Sequence, residues 1–175
     1  GSLVDGRKSN RGSKLSEIVK NNNAVAGINA GGFADAGGVG AGNILCDEIS
    51  MEEGQKLLGM AVEKILDLEL FPIVLGGGHE TTFGHFQGQL ADMKKKETPL
   101  DMGIINFDAH FDLRPYENGP SSGSMFRQIA DIYKKENVQY HYLPLGIQEH
   151  SNTVSLFKFA KEIGTEYILA KEIQN

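Results

Sequence analysis

Two runs decide the fold: Phe71-Pro72-Ile73-Val74-Leu75-Gly76-Gly77-Gly78-His79-Glu80, and further on Met102-Gly103-Ile104-Ile105-Asn106-Phe107-Asp108-Ala109-His110-Phe111-Asp112. Each opens apolar and closes on a turn or a polar cluster. That is the pattern of a short buried strand, over Phe71 to Leu75 and over Met102 to Phe107. Between them Thr81 to about Lys95 reads as a helix with Phe83, Phe86 and Leu90 on one side. Upstream, Ser50 followed by Glu53 is a capping box. It opens a helix whose apolar stripe is Leu57, Ala61 and Ile65 beside Leu58, Val62 and Leu66. Downstream come a helix from Ser124 to Lys135, a strand from Tyr142 to Ile147, a helix from Asn152 to Ile163 and a strand from Tyr167 to Ala170. A repeating β-α order argues for a three-layer α/β fold, a parallel sheet with helices on both faces. Such sheets bind ligands beyond the carboxyl ends of their strands. The residues just after Leu75 and just after Phe107 are therefore expected side by side at one rim.

The chemistry lies at those two places. Asp108, His110 and Asp112 occupy alternate positions and point the same way if the chain is extended there. Carboxylates and imidazoles together suit divalent manganese, nickel, zinc or iron. A carboxylate bridging two such ions would help generate hydroxide near neutral pH. The same D-x-H-x-D pattern also fits a solvated loop whose acids cap the next helix. His79, placed independently after the neighbouring strand, tips the balance towards metal. The triple glycine lacks the continuation of a phosphate-binding loop, and it reads instead as backbone passing close to the metals. His85 reads as a helix-face residue, His141 as the entry to a strand, and His150 as a loop residue, on the surface rather than at the rim.

The bulk composition excludes several classes. The chain has 175 residues, a formal net charge of -6 and scattered Lys and Arg, which does not describe a nucleic-acid binder. The run Lys94-Lys95-Lys96 falls at a helix end, where it complements the helix dipole. A single cysteine, Cys46, allows no intrachain disulfide and no cysteine-based zinc site, and is compatible with a reducing cytoplasm. No apolar run is long enough for a membrane helix, and no signal peptide is expected at the start.

Texture divides the chain near residue 42. Residues 1–42 are polar and then glycine-rich, ending in Gly31-Gly32-Phe33-Ala34-Asp35-Ala36-Gly37-Gly38-Val39-Gly40-Ala41-Gly42, which reads as loop or tight turns. Within them Lys14 to Lys20 is an expected short helix and Ala24 to Asn29 an expected short strand. Residues 43–175 form the α/β part.

Three pieces, Gly77-Gly78-His79-Glu80, Asn106 to Asp112, and Ser121-Ser122-Gly123-Ser124-Met125-Phe126-Arg127-Gln128, resemble the arginase–agmatinase–formimidoylglutamase family of ureohydrolases. The third, with Asp112-Leu113-Arg114-Pro115 and Leu145-Gly146-Ile147-Gln148, is most similar to the formimidoylglutamase branch. The resemblance implies an arginase-like fold, a binuclear manganese site and hydrolysis of an amidine C–N bond in a small molecule. In that branch N-formimidoyl-L-glutamate gives L-glutamate and formamide, in histidine degradation. Carried over by position, His79, Asp108 and Asp112 hold one ion, Asp108 bridges, and His110 helps hold the second. Asp108 and His110 are the catalytic pair. Asn118, Ser121, Ser122, Gly123 and Ser124 fall in the substrate loop.

The family completes its site with a later D-x-D motif, which this sequence does not reach. An incomplete domain, inactive or acting as a binding module, is thus the alternative, and a homo-oligomer is left open. Residues 6–40, around Asn23 to Phe33, resemble instead a segment of the phosphodiester glycosidase family. That resemblance implies a second alternative, a carbohydrate enzyme.

Overall fold

The computed structural model describes residues 50–173 and, before them, four short strands: β1 (Leu3–Val4), β2 (Arg7–Lys8), β3 (Gly32–Phe33) and β4 (Gly40–Ala41). β1 pairs antiparallel with β2, and β3 with β4. The helix expected at Lys14 to Lys20 and the strand at Ala24 to Asn29 lie outside the described residues.

The helix start expected at Ser50 forms, with the serine half of the capping box in place. The Glu53 amide donates to Ser50 Oγ at 3.2 Å and opens α1 (Met51–Asp67). Only one row of the expected stripe turns inward. Val62 is buried and Leu58 and Leu66 are half-buried, beside Gln55 and Gly59, whereas Leu57 and Ala61 of the other row are exposed. The reason is the partner helix α2 (Thr81–Lys95), which presents glycines to it. A Cβ on Gly84 would stand 2.7 Å from the Gln55 carbonyl oxygen, and one on Gly88 would stand 2.5 Å from that of Gly59. Missing side chains let the two backbones approach, and this close crossing sets which face turns inward.

The main sheet is parallel, in the order β5 (Gly103–Phe107), β6 (His141–Ile147), β7 (Ile168–Leu169). β5 and β6 pair from Gly103 with His141 through Phe107 with Leu145. β6 pairs with β7 from Leu145 with Ile168 to Ile147 with Leu169, and the register shifts between them at Gly146, which takes φ 94°. The connecting helices are α3 (Met125–Lys135) and α4 (Val154–Glu162), and α5 (Ala170–Ile173) follows β7. Right-handed crossovers between strands in this order place α3 and α4 on one side. There Arg127 of α3 lies 3.8 Å over the ring of Phe159 of α4. The core on that side gathers Phe83 and Phe86 of α2, Phe126, Ile129 and Tyr133 of α3, Tyr142 and Ile147 of β6, and Leu156 and Ala160 of α4.

The opposite side is open among the described residues. Ile105 and Phe107 of β5 are 64% and 82% exposed. The buried strand expected at Phe71 to Leu75 does not form either. That segment joins no ladder, and Phe71, Ile73 and Leu75 all face outward. Its exposure still alternates, with Pro72 buried and Val74 half-buried between the outward residues. The period of a strand is present, then, without a ladder to pair its backbone among the described residues.

Candidate metal centre

Gly76 and Gly77 take φ values of 84° and 79°, in the left-handed region that glycine adopts at no steric cost. A Cβ on Gly77 would also stand 2.6 Å from Thr81 Cγ2. This turn delivers His79 just ahead of α2. The start of α2 is braced by Thr81 Oγ1, which donates to the Gly78 carbonyl at 2.9 Å. Gln55 of α1 adds a second brace, donating to the Glu80 carbonyl at 3.0 Å.

Asp108 begins where β5 ends, its amide bonded to the Leu145 carbonyl at 3.1 Å. The rim forecast holds. His79 Nδ1 lies 2.7 Å from Asp112 Oδ2 and 3.2 Å from Asp108 Oδ2. One ligand atom from each of the three residues falls within 4.8 Å of the others. His110 stands on the other oxygen of Asp108. Its Nδ1 and its backbone amide lie 3.2 Å and 2.9 Å from Asp108 Oδ1. Asp108 therefore stands between two imidazoles, and His110 is outside the three-residue cluster.

Asp112 is only 7% exposed and holds φ 49°. The left-handed region costs a non-glycine residue about 1–2 kcal/mol. Its neighbour explains how it is kept there. The Phe111 ring is fully buried, edge-on to Phe157 and Tyr167. The His79 ring stands edge-on to Phe126 in the first turn of α3, 5.5 Å between centroids. A hydrogen bond to Asp112 holds the His79 proton above the ordinary imidazole value. Partial burial opposes this, and the charges of Asp112, Asp108 and Glu80 add to it.

The donor set fits manganese. Two carboxylates and one imidazole converge, and a single histidine proton cannot neutralise both acids, whereas a divalent cation can. A proton on His79 Nδ1 and a metal ion bound at that nitrogen are mutually exclusive.

The other expected residues form the connection into α3. Asn118 is exposed on a turn. The Ser121 amide donates to Ser124 Oγ at 2.8 Å and the Gly123 amide to Ser121 Oγ at 3.3 Å, so both hydroxyls shape the turn. Ser124 Oγ also lies 3.4 Å from Gln128 Oε1. Ser122 is half-buried, and Gly123 packs on Arg114, where a Cβ would come within 3.0 Å of Arg114 Cδ. His85 is half-buried on α2, its proton held less firmly than usual because of that burial. His141 and His150 are exposed, the latter as expected. Two residues near the ligands carried no motif signal, Tyr142 and Asn152. Both bond the backbone of the Asp108–Asp112 loop.

The chain belongs to the arginase family, whose model matches residues 12–175. Within that family it is similar to the formimidoylglutamase of Clostridium tetani (strain Massachusetts / E88), 58% identical over 134 residues, 76% of this chain and 40% of that protein. The formimidoylglutamase of Geobacillus thermodenitrificans is 47% identical over 133 residues, 76% of this chain and 39% of that one. The chain thus spans about two fifths of the length of the relatives it matches. Among solved structures, Trypanosoma cruzi formiminoglutamase with manganese superposes with a TM-score of 0.62 at 22% identity, covering 72% of this chain and 41% of that one. Bacillus subtilis formimidoylglutamase gives 0.60 at 23%, covering 73% and 38%. These likenesses establish the arginase-like α/β fold. Among the described residues no helix is long and apolar enough to cross a membrane.

Proposed function

We propose that this chain carries the metal-holding part of a manganese-dependent hydrolase of linear amidine C–N bonds. The substrate is N-formimidoyl-L-glutamate and the products are L-glutamate and formamide, a step of histidine degradation. One observation carries the reading: His79 meets Asp108 and Asp112, although the three come from two separate loops after two separate apolar runs. The 58% identity to a formimidoylglutamase supports the substrate. A cytoplasmic setting, suggested by the single cysteine, goes with it.

His79, Asp108 and Asp112 would hold one ion. Asp108, flanked by His79 on one oxygen and His110 on the other, would share itself with a second. Bound manganese supplies Lewis-acid polarisation and water activation near neutral pH. Asp108 and His110 are the side chains at the reacting end, and His110, half-exposed beside Asp108, is placed to hold a proton there. In the substrate loop, Ser121, Gly123 and Ser124 set the shape of the turn. Asn118 and Ser122 are the side chains left to meet the substrate.

The test is manganese content per chain after dialysis, with and without Asp108→Ala, followed by formamide release from N-formimidoyl-L-glutamate. About one ion or more per chain, lost in the variant, is the expected result. Metal retained in Asp108→Ala would overturn the ligand assignment. Metal bound without formamide release would overturn the substrate.

A further inference from the structure

We propose that Asn152 is the positioning residue of the metal loop, fixing the backbone between the ligands from a segment that contributes no ligand itself. The proposal rests on the manganese reading of the site for its function, but on geometry alone for its mechanics.

The ligands Asp108, His110 and Asp112 alternate with Ala109 and Phe111, and Asn152 bonds the backbone of both intervening residues. Its Oδ1 accepts from the Phe111 amide at 2.9 Å, and its Nδ2 donates to the Ala109 carbonyl at 2.8 Å. The same Nδ2 donates to the Gln148 carbonyl at 2.8 Å, while the Gln148 amide donates to the Ala109 carbonyl at 3.0 Å. The side-chain orientation is not arbitrary. Exchanging oxygen and nitrogen would set two carbonyls against an oxygen and an N–H against an NH2, breaking all three bonds. The amide of Asn152 thus matches its surroundings on every polar atom it presents.

Phe111 is held on its other side as well. Its carbonyl accepts from the Tyr142 hydroxyl at 3.0 Å, and that hydroxyl accepts from Asn106 Nδ2 at 3.1 Å. With both polar groups of Phe111 bonded and its ring buried, the next residue has little freedom. Asp112 leaves at φ 49°, and its carboxylate arrives 2.7 Å from His79 Nδ1. Asn152 acts on the ligands through the peptide groups between them, without touching the metal.

The experiment uses the full chain carrying Asn152→Ala or Asn152→Asp. Manganese affinity is read by titration, and amide hydrogen exchange is read at Phe111 in the metal-free protein. Asn152→Ala should raise the manganese Kd by about 10–100-fold, the usual cost of losing a group that orients metal ligands. It should also speed exchange at Phe111 by at least about tenfold, with the amides of α1 and α2 unchanged. Asn152→Asp keeps the acceptor and loses both donors. Phe111 should then stay protected while manganese affinity still falls, a split that general destabilisation would not produce. This variant decides the matter if Asn152→Ala does not fold. A Kd within about twofold of the parent in either folded variant would overturn the proposal. If the parent binds no manganese, the metal reading fails instead. In that case an unchanged Phe111 exchange rate in Asn152→Ala overturns the positioning role, and a faster one upholds it.

Discussion

Tyr116 shows how one side chain near the site registers in solution. Its hydroxyl donates to Asp131 Oδ2 at 2.7 Å. Partial burial, and then that hydrogen bond, push its pKa from 10.0 up to about 12. The folded state thus keeps a proton that the unfolded state gives up sooner. The stability this adds is fully present below about pH 10 and is lost as the pH climbs through about 12. Tyr116→Phe should therefore be less stable than the parent at neutral pH, with the two urea midpoints converging above about pH 10. A gap that stays constant up to about pH 12 would count against the shift. At this scale the sequence was readable wherever chemistry and spacing coincide. His79, Asp108 and Asp112 stand out because metal-binding residue types recur after two apolar runs. Asn152 does not, since its work is done on peptide groups more than forty positions away, and an asparagine in a loop looks like any turn former.

Among elements, the α1–α2 pair depends on what is missing from it. Gly88 lies where a Cβ would come within 2.5 Å of the Gly59 carbonyl oxygen and 2.6 Å of Val62 Cβ. Gly88→Ala gains about 1 kcal/mol of helix propensity. It also forces apart two backbones that cannot yield cheaply, at about 1–3 kcal/mol. A net loss of stability is expected, read as a lower urea midpoint at unchanged slope. A raised midpoint would show that the crossing tolerates a methyl group. Glycines inside a helix look like weak points in a sequence, so the contact they form was hidden and the apolar stripe was drawn too wide, taking in Leu57 and Ala61 with the inward row of Leu58, Val62 and Leu66. Helices α1 to α4, and strands β5 to β7, were legible to within a residue or two because capping residues and apolar periods mark them locally, whereas the single turn of α5 went unread, its first residue Ala170 taken into the last strand. The segment from Phe71 to Leu75 carries the same local marks. A strand also needs a neighbour, and no local pattern reports one.

At the scale of the whole molecule, the sheet has one packed side and one side that is open among the described residues. Phe107 and Ile105, and the outward row Phe71, Ile73 and Leu75, expose apolar side chains at alternate positions of each segment. Exposed faces of this kind attract apolar molecules. The chain should therefore bind an apolar fluorescent dye while its far-ultraviolet dichroism is native. The double variant Ile105→Thr and Phe107→Ser should bind markedly less. Equal dye binding by the two would place the exposed surface elsewhere.

The tethers of the metal loop carry a different consequence, one of timing. They join residues 31, 41 and 43 positions apart, so each requires a long stretch of chain to close before it can form. On a ribosome, Asp108, His110 and Asp112 emerge well ahead of Asn152. Under the proposed manganese reading, those side chains are present while their loop is still slack, and an ion captured in that interval would be gripped by whatever geometry chance provides. Correct loading would then belong to the last stage of folding, after the later segment has come home.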